Sequence, residues 1–200
     1  MITISIRHNF PKVAAELNRL GQAMGDKAMV RALNATVTQA KPAMARQIAS
    51  EFRVTSSQAK ERLDIRRASS KSGGLRLEAA LLATRKSKGR GMNLINFVVG
   101  GRPARNSKGR MAQLKMQIKR AGGRKVIPGA FIATNRKTGG EAVFVRDGKS
   151  RYPIITKTTV DIPQMFNTRR INSVVREVMI KRFDINFNRE ARSLLKGYAK

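Results

Sequence analysis

Two short segments carry the residue types best suited to chemistry: Lys-Ser-Lys-Gly-Arg-Gly at 86–91 and Arg-Pro-Ala-Arg-Asn-Ser-Lys-Gly-Arg at 102–110. Cations interleaved with Gly and Ser offer charged side chains and exposed backbone amides together, a combination that suits phosphate oxygens. Arg85, Lys86, Lys88 and Arg90 around the first segment, and Arg102, Arg105, Lys108 and Arg110 in the second, are the candidate contacts to DNA or to a partner. Contacts of this kind are independent of base sequence and weaken with salt. Neither loop holds an aromatic ring to stack on a base, and only Phe97 and Phe131 occur near the basic stretch, so base reading is not expected. Acidic faces of a neighbouring protein suit the same cations equally well, so both kinds of partner stay open.

The loops belong to a longer stretch of one sign. The chain has 42 Lys and Arg against 12 Asp and Glu, a net charge of +30, and no acidic residue occurs from Ala79 to Gly140. That window also holds Lys115, Lys119, Arg120, Arg124, Lys125, Arg136 and Lys137. A solvated basic surface is the plainer reading of a short charge run. A window this long without counter-charge opposes its own compaction and favours an anionic partner or an acidic neighbouring subunit.

Catalytic groups are sparse. His8 is the only histidine and cysteine is absent, so neither a Ser-His-Asp or Cys-His arrangement nor a zinc site finds its members. His8 reads as a surface or packing residue. Glu61 and Asp64, three apart, read as helix-end electrostatics rather than a catalytic pair. The glycines lack the Gly-Lys-Ser/Thr ending of a phosphate loop. The expectation is a protein that is not an enzyme, with no catalytic, cofactor-binding or metal-binding residues. The lack of cysteine fits assembly in a reducing cytoplasm. No apolar run is long enough to cross a bilayer and no secretory signal is visible, so the chain is expected to be soluble and not secreted.

The elements that position the loops follow from the hydrophobic pattern. Ile2, Ile4 and Ile6 start strand-like; Pro11 suits the first turn of a helix carrying Val13, Leu17, Leu20 and Met24. Val30, Leu33, Val37, Ala40, Met44, Ile48 and Phe52 form a second helical stripe, with a kink or a division into two helices expected at Pro42. Thr55 or Ser56 caps a brief helix through Leu63. The period then changes to two: Leu75 to Leu81, Met92 to Val99 and Leu114 to Ile118 read as strands, the last with a basic outer face. Glycine pairs punctuate them. From Ile171 to Tyr198 a helical stripe returns, capped by Thr168, with a possible break at Asn186 and Asn188. The fold class is therefore α+β: N-terminal helices, a central, largely antiparallel sheet with long basic loops, and a long C-terminal helix. Residues 1–200 read as one domain, with a helical part over 1–66, a basic β-rich core over 67–162 and a C-terminal helical part over 163–200.

Between Val126 and Phe166 lie three of the six prolines, each beside an aliphatic or aromatic residue. Proline lacks a donor and pushes its predecessor towards extended backbone, so these pieces read as edges of a small sheet, turned at Gly139-Gly140 and Asp147-Gly148. Pro128, Phe131, Tyr152, Pro153, Pro163, Met165 and Phe166 are the candidate packing or interface residues. The order Pro-Gly-Ala-Phe-Ile (128–132), Val-Phe-Val-Arg (143–146), Gly-Lys-Ser-Arg-Tyr-Pro-Ile (148–154) and Pro-Gln-Met-Phe (163–166) resembles the phage minor tail protein Z family. Where that family has a Gly-Pro-Ser-like turn, this chain has the β-branched run Thr158-Thr159-Val160-Asp161-Ile162, which reads as a strand continuing further.

The resemblance implies a structural virion protein of a tailed phage, completing the upper end of the tail at the head–tail junction, with no enzymatic activity. It implies a virion location in the tail or neck after assembly in the host cytoplasm. The expected partners are further copies of itself, the tail terminator, tail tube and head connector, and the phage DNA. A ring of copies is expected, with basic loops facing DNA or acidic neighbouring subunits. The competing reading of the charge is a ribosomal-like or DNA-compacting nucleic-acid-binding protein.

Overall fold

Two helices of 30 residues each, α1 (Gln22–Glu51) and α4 (Arg169–Tyr198), lie against each other. The structure, a computed structural model, describes residues 2–5, 22–71, 74–84, 91–101, 112–134 and 139–198. The ties between the helices run in opposite chain directions: Arg31 to Glu190, Gln39 to Asn186, Glu51 to Arg170. The pair is therefore antiparallel. Each helix buries a ridge at intervals of four: Ala28, Ala32, Thr36, Ala40, Met44 and Ile48 on α1, and Ile171, Val175, Met179, Phe183, Phe187 and Ala191 on α4. Residues four apart stack on one face, so a ridge of this spacing meets a neighbouring helix along its length. The small residues of α1 fall opposite the stretch of α4 with the bulky Phe183 and Phe187, whose rings stack at 6.1 Å.

The stripe expected from Val30 to Phe52 is present, with Val30 half-buried and the others in the core. Pro42 does not divide it: α1 is one helix with the proline inside. The lost hydrogen bond at Pro42 is outweighed by the apolar ridge buried on both sides of it. Nor does Asn186 break α4. It is buried in the helix pair and hydrogen bonded there, so its side chain is satisfied without unwinding the helix. Of the helix expected near Pro11, only Met24 falls within the described residues, and Val13, Leu17 and Leu20 lie outside them, as does Ile6.

Thr55 caps α2 (Ser56–Lys60) through a reciprocal box with Gln58. The helix stops at Lys60, earlier than expected, because Leu63 opens strand β2 (Leu63–Arg66) and is buried there.

The expected central sheet takes the form of five small antiparallel sheets among the described residues. The N-terminal strand β1 (Ile2–Ser5) and β2 flank β5 (Ala80–Ala83), with Ile2 and Leu63 both in register with Ala83. The segment expected as one strand from Leu75 to Leu81 is two: β4 (Gly74–Arg76), paired with β3 (Ser69–Lys71), and then β5. Strict alternation fails because Ala79, Ala80 and Leu81 are all buried, so the chain entering β5 is covered on both faces. Met92–Val99 is likewise interrupted. The Asn93 side chain accepts from the Ile95 amide and starts a 3-10 turn over Leu94–Phe97, between β6 (Met92–Asn93) and β7 (Val98–Val99). That turn drives Phe97 into the core.

Strand β8 (Lys115–Met116) pairs with β7 and with β9 (Lys125–Val126). Leu114 and Met116 point inward and Lys115 outward, as the alternation expected. The proline-edged region forms β10 (Phe131–Thr134), β11 (Glu141–Arg146) and β12 (Ile154–Thr156), in the order β10-β11-β12. Gly148 turns the chain from β11 to β12 at φ +90°, a conformation open to glycine. The run after Thr156 does not simply continue that strand. It changes partner, and β13 (Thr158–Thr159) pairs with β6 instead. A β-carbon on Gly91 would collide with the Thr159 carbonyl oxygen, so the two backbones meet closely at this crossing. Asp161 then starts α3 (Ile162–Phe166), and Thr168, whose carbonyl accepts from the Asn172 amide, starts α4.

Candidate functional site

The eight loop cations Arg85, Lys86, Lys88, Arg90, Arg102, Arg105, Lys108 and Arg110 lie outside the described residues. What is described is where their segments begin and end. Residues 85–90 follow Thr84, which closes β5 and hydrogen bonds Asp64 on β2 at 2.9 Å. Chain direction resumes at Gly91, against Thr159. Residues 102–111 join β7 to β8, which are adjacent and in register at Val99 and Lys115.

The described part of the basic window continues directly from there. Lys115, Lys119, Arg120, Arg124 and Lys125 are all exposed along β8, β9 and their connection. This connection is strapped to the end of α1. The Arg53 amide donates to the Ile118 carbonyl, the Arg120 amide to the Glu51 carbonyl, and Phe52 bridges Lys119. Arg120 Nε donates to the Ala49 carbonyl at 2.7 Å, placing its cation on the carbonyl-rich end of α1. Gln117 closes the turn by donating to the carbonyls of Arg120 and Gly122. Among the described residues, Lys115, Lys119, Arg124 and Lys125 make no ion pair. On the helices, Glu51 pairs with Arg170, Glu190 with Arg31 and Arg189, and Glu177 with Lys181. Part of the positive charge is thus carried on a connection hydrogen bonded to the end of α1.

The seven packing or interface candidates separate. Pro163, Met165 and Phe166 are buried, anchored by α3 in the hydrophobic core. Asp161, itself 3% exposed, holds α3 in place: its carboxylate accepts from the Ile162 amide, while its own amide donates to Gln164 Oε1. Pro128, Tyr152 and Pro153 are exposed; Tyr152 packs under Arg151, its ring 5.8 Å from the guanidinium carbon. Phe131 is half-buried, stacked on Phe144 at 6.1 Å and covered by Arg146 at 5.3 Å. Phe144 and Val143 are both buried although they face opposite sides of β11, so this strand is covered on both faces.

One feature escaped the sequence pattern. An open groove of about 530 Å³ lies between β9 and β13, floored by Phe52, Leu94, Met116 and Ile118. Lys119, Lys125 and Lys157 line it as well, and none of its lining residues is acidic. Its floor comes from three separate segments, around Phe52, Leu94 and Met116 with Ile118, so no local spacing announces it. The signal available in advance was the apolar alternation 114–118 inside the basic window. Chemically, the described surface offers cations without counter-charge and an apolar groove beside them.

No group of three or more His, Cys, Asp or Glu able to hold a metal ion occurs among the described residues, and no described helix is long and apolar enough to cross a membrane. The family model described as prophage minor tail protein Z (GPZ) matches residues 12–197, nearly the whole chain. No curated protein and no solved structure matches it.

Proposed function

The chain belongs to the prophage minor tail protein Z family, and from that membership we propose that it completes the upper end of the tail, where tail and head join. Membership makes it a phage minor tail protein and a component of the virion that works against other tail proteins. Its role is structural rather than catalytic. Residues 1–200 act as one domain, a reading supported by a core cluster that draws on α1, α3, α4 and most of the small sheets.

Several copies form a closed ring at the junction, in contact with the tail terminator, the tail tube or the head connector. The basic loops 85–90 and 102–110 face the DNA that passes through, or an acidic rim of the adjoining ring. The observation that carries this reading is the set of exposed cations at Lys115, Lys119, Arg124 and Lys125, which make no ion pair among the described residues and follow the second loop in the chain. A charge of +30 makes identical copies repel one another, so ring closure on this reading is coupled to an anionic partner. Family membership sets the tail reading above the ribosomal-like or DNA-compacting one.

The test is charge reversal of Arg102, Arg105, Lys108 and Arg110 to Glu. Tails should still assemble, while the particles should be defective when scored by electron microscopy and plaque assay. Normal infectivity from the quadruple variant overturns the proposed role of the loops.

A further inference from the structure

We propose that the groove between β9 and β13 is a docking site for an extended, acidic segment of a neighbouring tail protein, one that alternates apolar side chains with carboxylates. The proposal rests on the tail-protein reading only for the source of that segment. Three observations define the chemistry. The lining is largely apolar: Phe52, Leu94 and Met116 are buried beneath, Ile118, Ile127 and Val160 are half-buried and Val126 is 39% exposed at the edge, so a partner that fills the groove removes the hydrocarbon of these last four from water. The border is cationic. Lys119, Lys125 and Lys157 line it without any carboxylate among the lining residues, and Lys119 and Lys125 make no ion pair among the described residues.

The third observation is backbone. Among the described residues, β9 pairs only with β8 and β13 only with β6, so the groove runs between two strands that each have one neighbour. A strand with a free edge is a template for an added strand, whose alternate side chains then fall on one face. An extended occupant would turn its apolar residues to Ile118, Ile127 and Val160 and its carboxylates to the lysines. A second copy of this chain is disfavoured by the same charge, since like-charge juxtaposition suppresses association.

The experiment uses the full chain and two short fluorescent peptides as probes. One alternates Glu with Leu and Phe; the other replaces the Leu and Phe by Ser at the same charge. Anisotropy titrations are run on the wild type, on the triple variant Lys119→Glu/Lys125→Glu/Lys157→Glu, and on Val126→Glu, with circular dichroism and thermal unfolding as checks of folding. All four substitutions are at exposed or rim positions, and Val126→Glu provides the second variant should the triple one fail to fold. Expected is a loss of about tenfold or more for the apolar peptide on either variant, and weaker binding of the Ser peptide to the wild type by a similar factor. Equal affinity for both peptides, or unchanged affinity on both variants, overturns the site. A duplex oligonucleotide that loses affinity on the variants while the apolar peptide never binds overturns it in favour of nucleic acid. Absence of the chain from purified virions would instead sink the tail-protein reading, and it leaves the peptide result standing.

Discussion

Asn186 on α4 donates a hydrogen bond to the Thr36 hydroxyl on α1 at 3.0 Å, with both side chains shielded from solvent. The Thr36 hydroxyl in turn donates to the Ala32 carbonyl at 2.8 Å, and Gln39 meets the Asn186 amide at 3.4 Å. A polar group in the middle of an apolar helix pair is satisfied at one alignment of the helices and left unpaired at the others. The pair therefore selects the register that brings Arg31 to Glu190 and Glu51 to Arg170.

Removing one partner should cost more than removing both. Asn186→Ala strands the Thr36 oxygen and opens a small void, and should destabilise the protein by about 1–3 kcal/mol in denaturant unfolding. The double variant Thr36→Val/Asn186→Leu replaces both groups with hydrocarbon and should lie closer to the wild type than Asn186→Ala does. A double variant less stable than the single one would show that the pair does more than satisfy itself.

Asp161 holds the turn into α3, which carries the buried Pro163, Met165 and Phe166. Asp161→Ala should lower stability by about 1 kcal/mol, up to about 2, through the lost cap. Asp161→Asn keeps an acceptor oxygen and should recover most of that difference. Thermal unfolding of the three proteins side by side measures it.

Glu177 and Lys181 form a 2.7 Å pair one turn apart on the outer face of α4. The hydrogen bond from Lys181, and then its charge, hold the Glu177 carboxyl below its ordinary value. The folded-state value is lowered, so the pair's contribution is full above the ordinary carboxylate value and is lost as pH falls from there through the lowered folded-state value. Lys181→Met should move the Glu177 midpoint upward in an NMR titration of the carboxyl carbon. The stability difference between variant and wild type should shrink on acidification, and added salt should reduce it as well. An unmoved midpoint would show that the pair does not persist in solution.

How much was legible in advance differs by element. The two long helices were readable because helical burial is local: every turn repeats the demand for an apolar residue, and a stripe of six or seven such positions is hard to produce otherwise. Thr55 with Gln58 was half readable, since the cap could be placed but not the end of its helix. The strands were readable only in part: those at Ile2–Ser5, Lys115–Met116 and the pieces from Phe131 to Thr156 fall where expected, but not their bounds or partners. Met92–Asn93 and Thr158–Thr159 are two residues long, too short for any period to show. The loop cations named from composition lie outside the described residues, whereas Lys115, Lys119, Arg124 and Lys125 show the same excess on a held surface.

By itself the sequence determined the α+β class, the stripes of the two long helices, the excess of positive charge and, through the pieces from Pro128 to Phe166, the family. These depend on neighbours in the chain or on sums over it. Tertiary structure decided the rest: that Thr158–Thr159 leaves its own hairpin to pair with Met92–Asn93, that Asn186 is a buried tie and not a break, and that Phe52, Leu94, Met116 and Ile118 floor one groove. Each of these joins residues far apart in sequence. Short strands and buried polar groups take their partners from whichever distant segment the packing brings near, and no local pattern carries that choice.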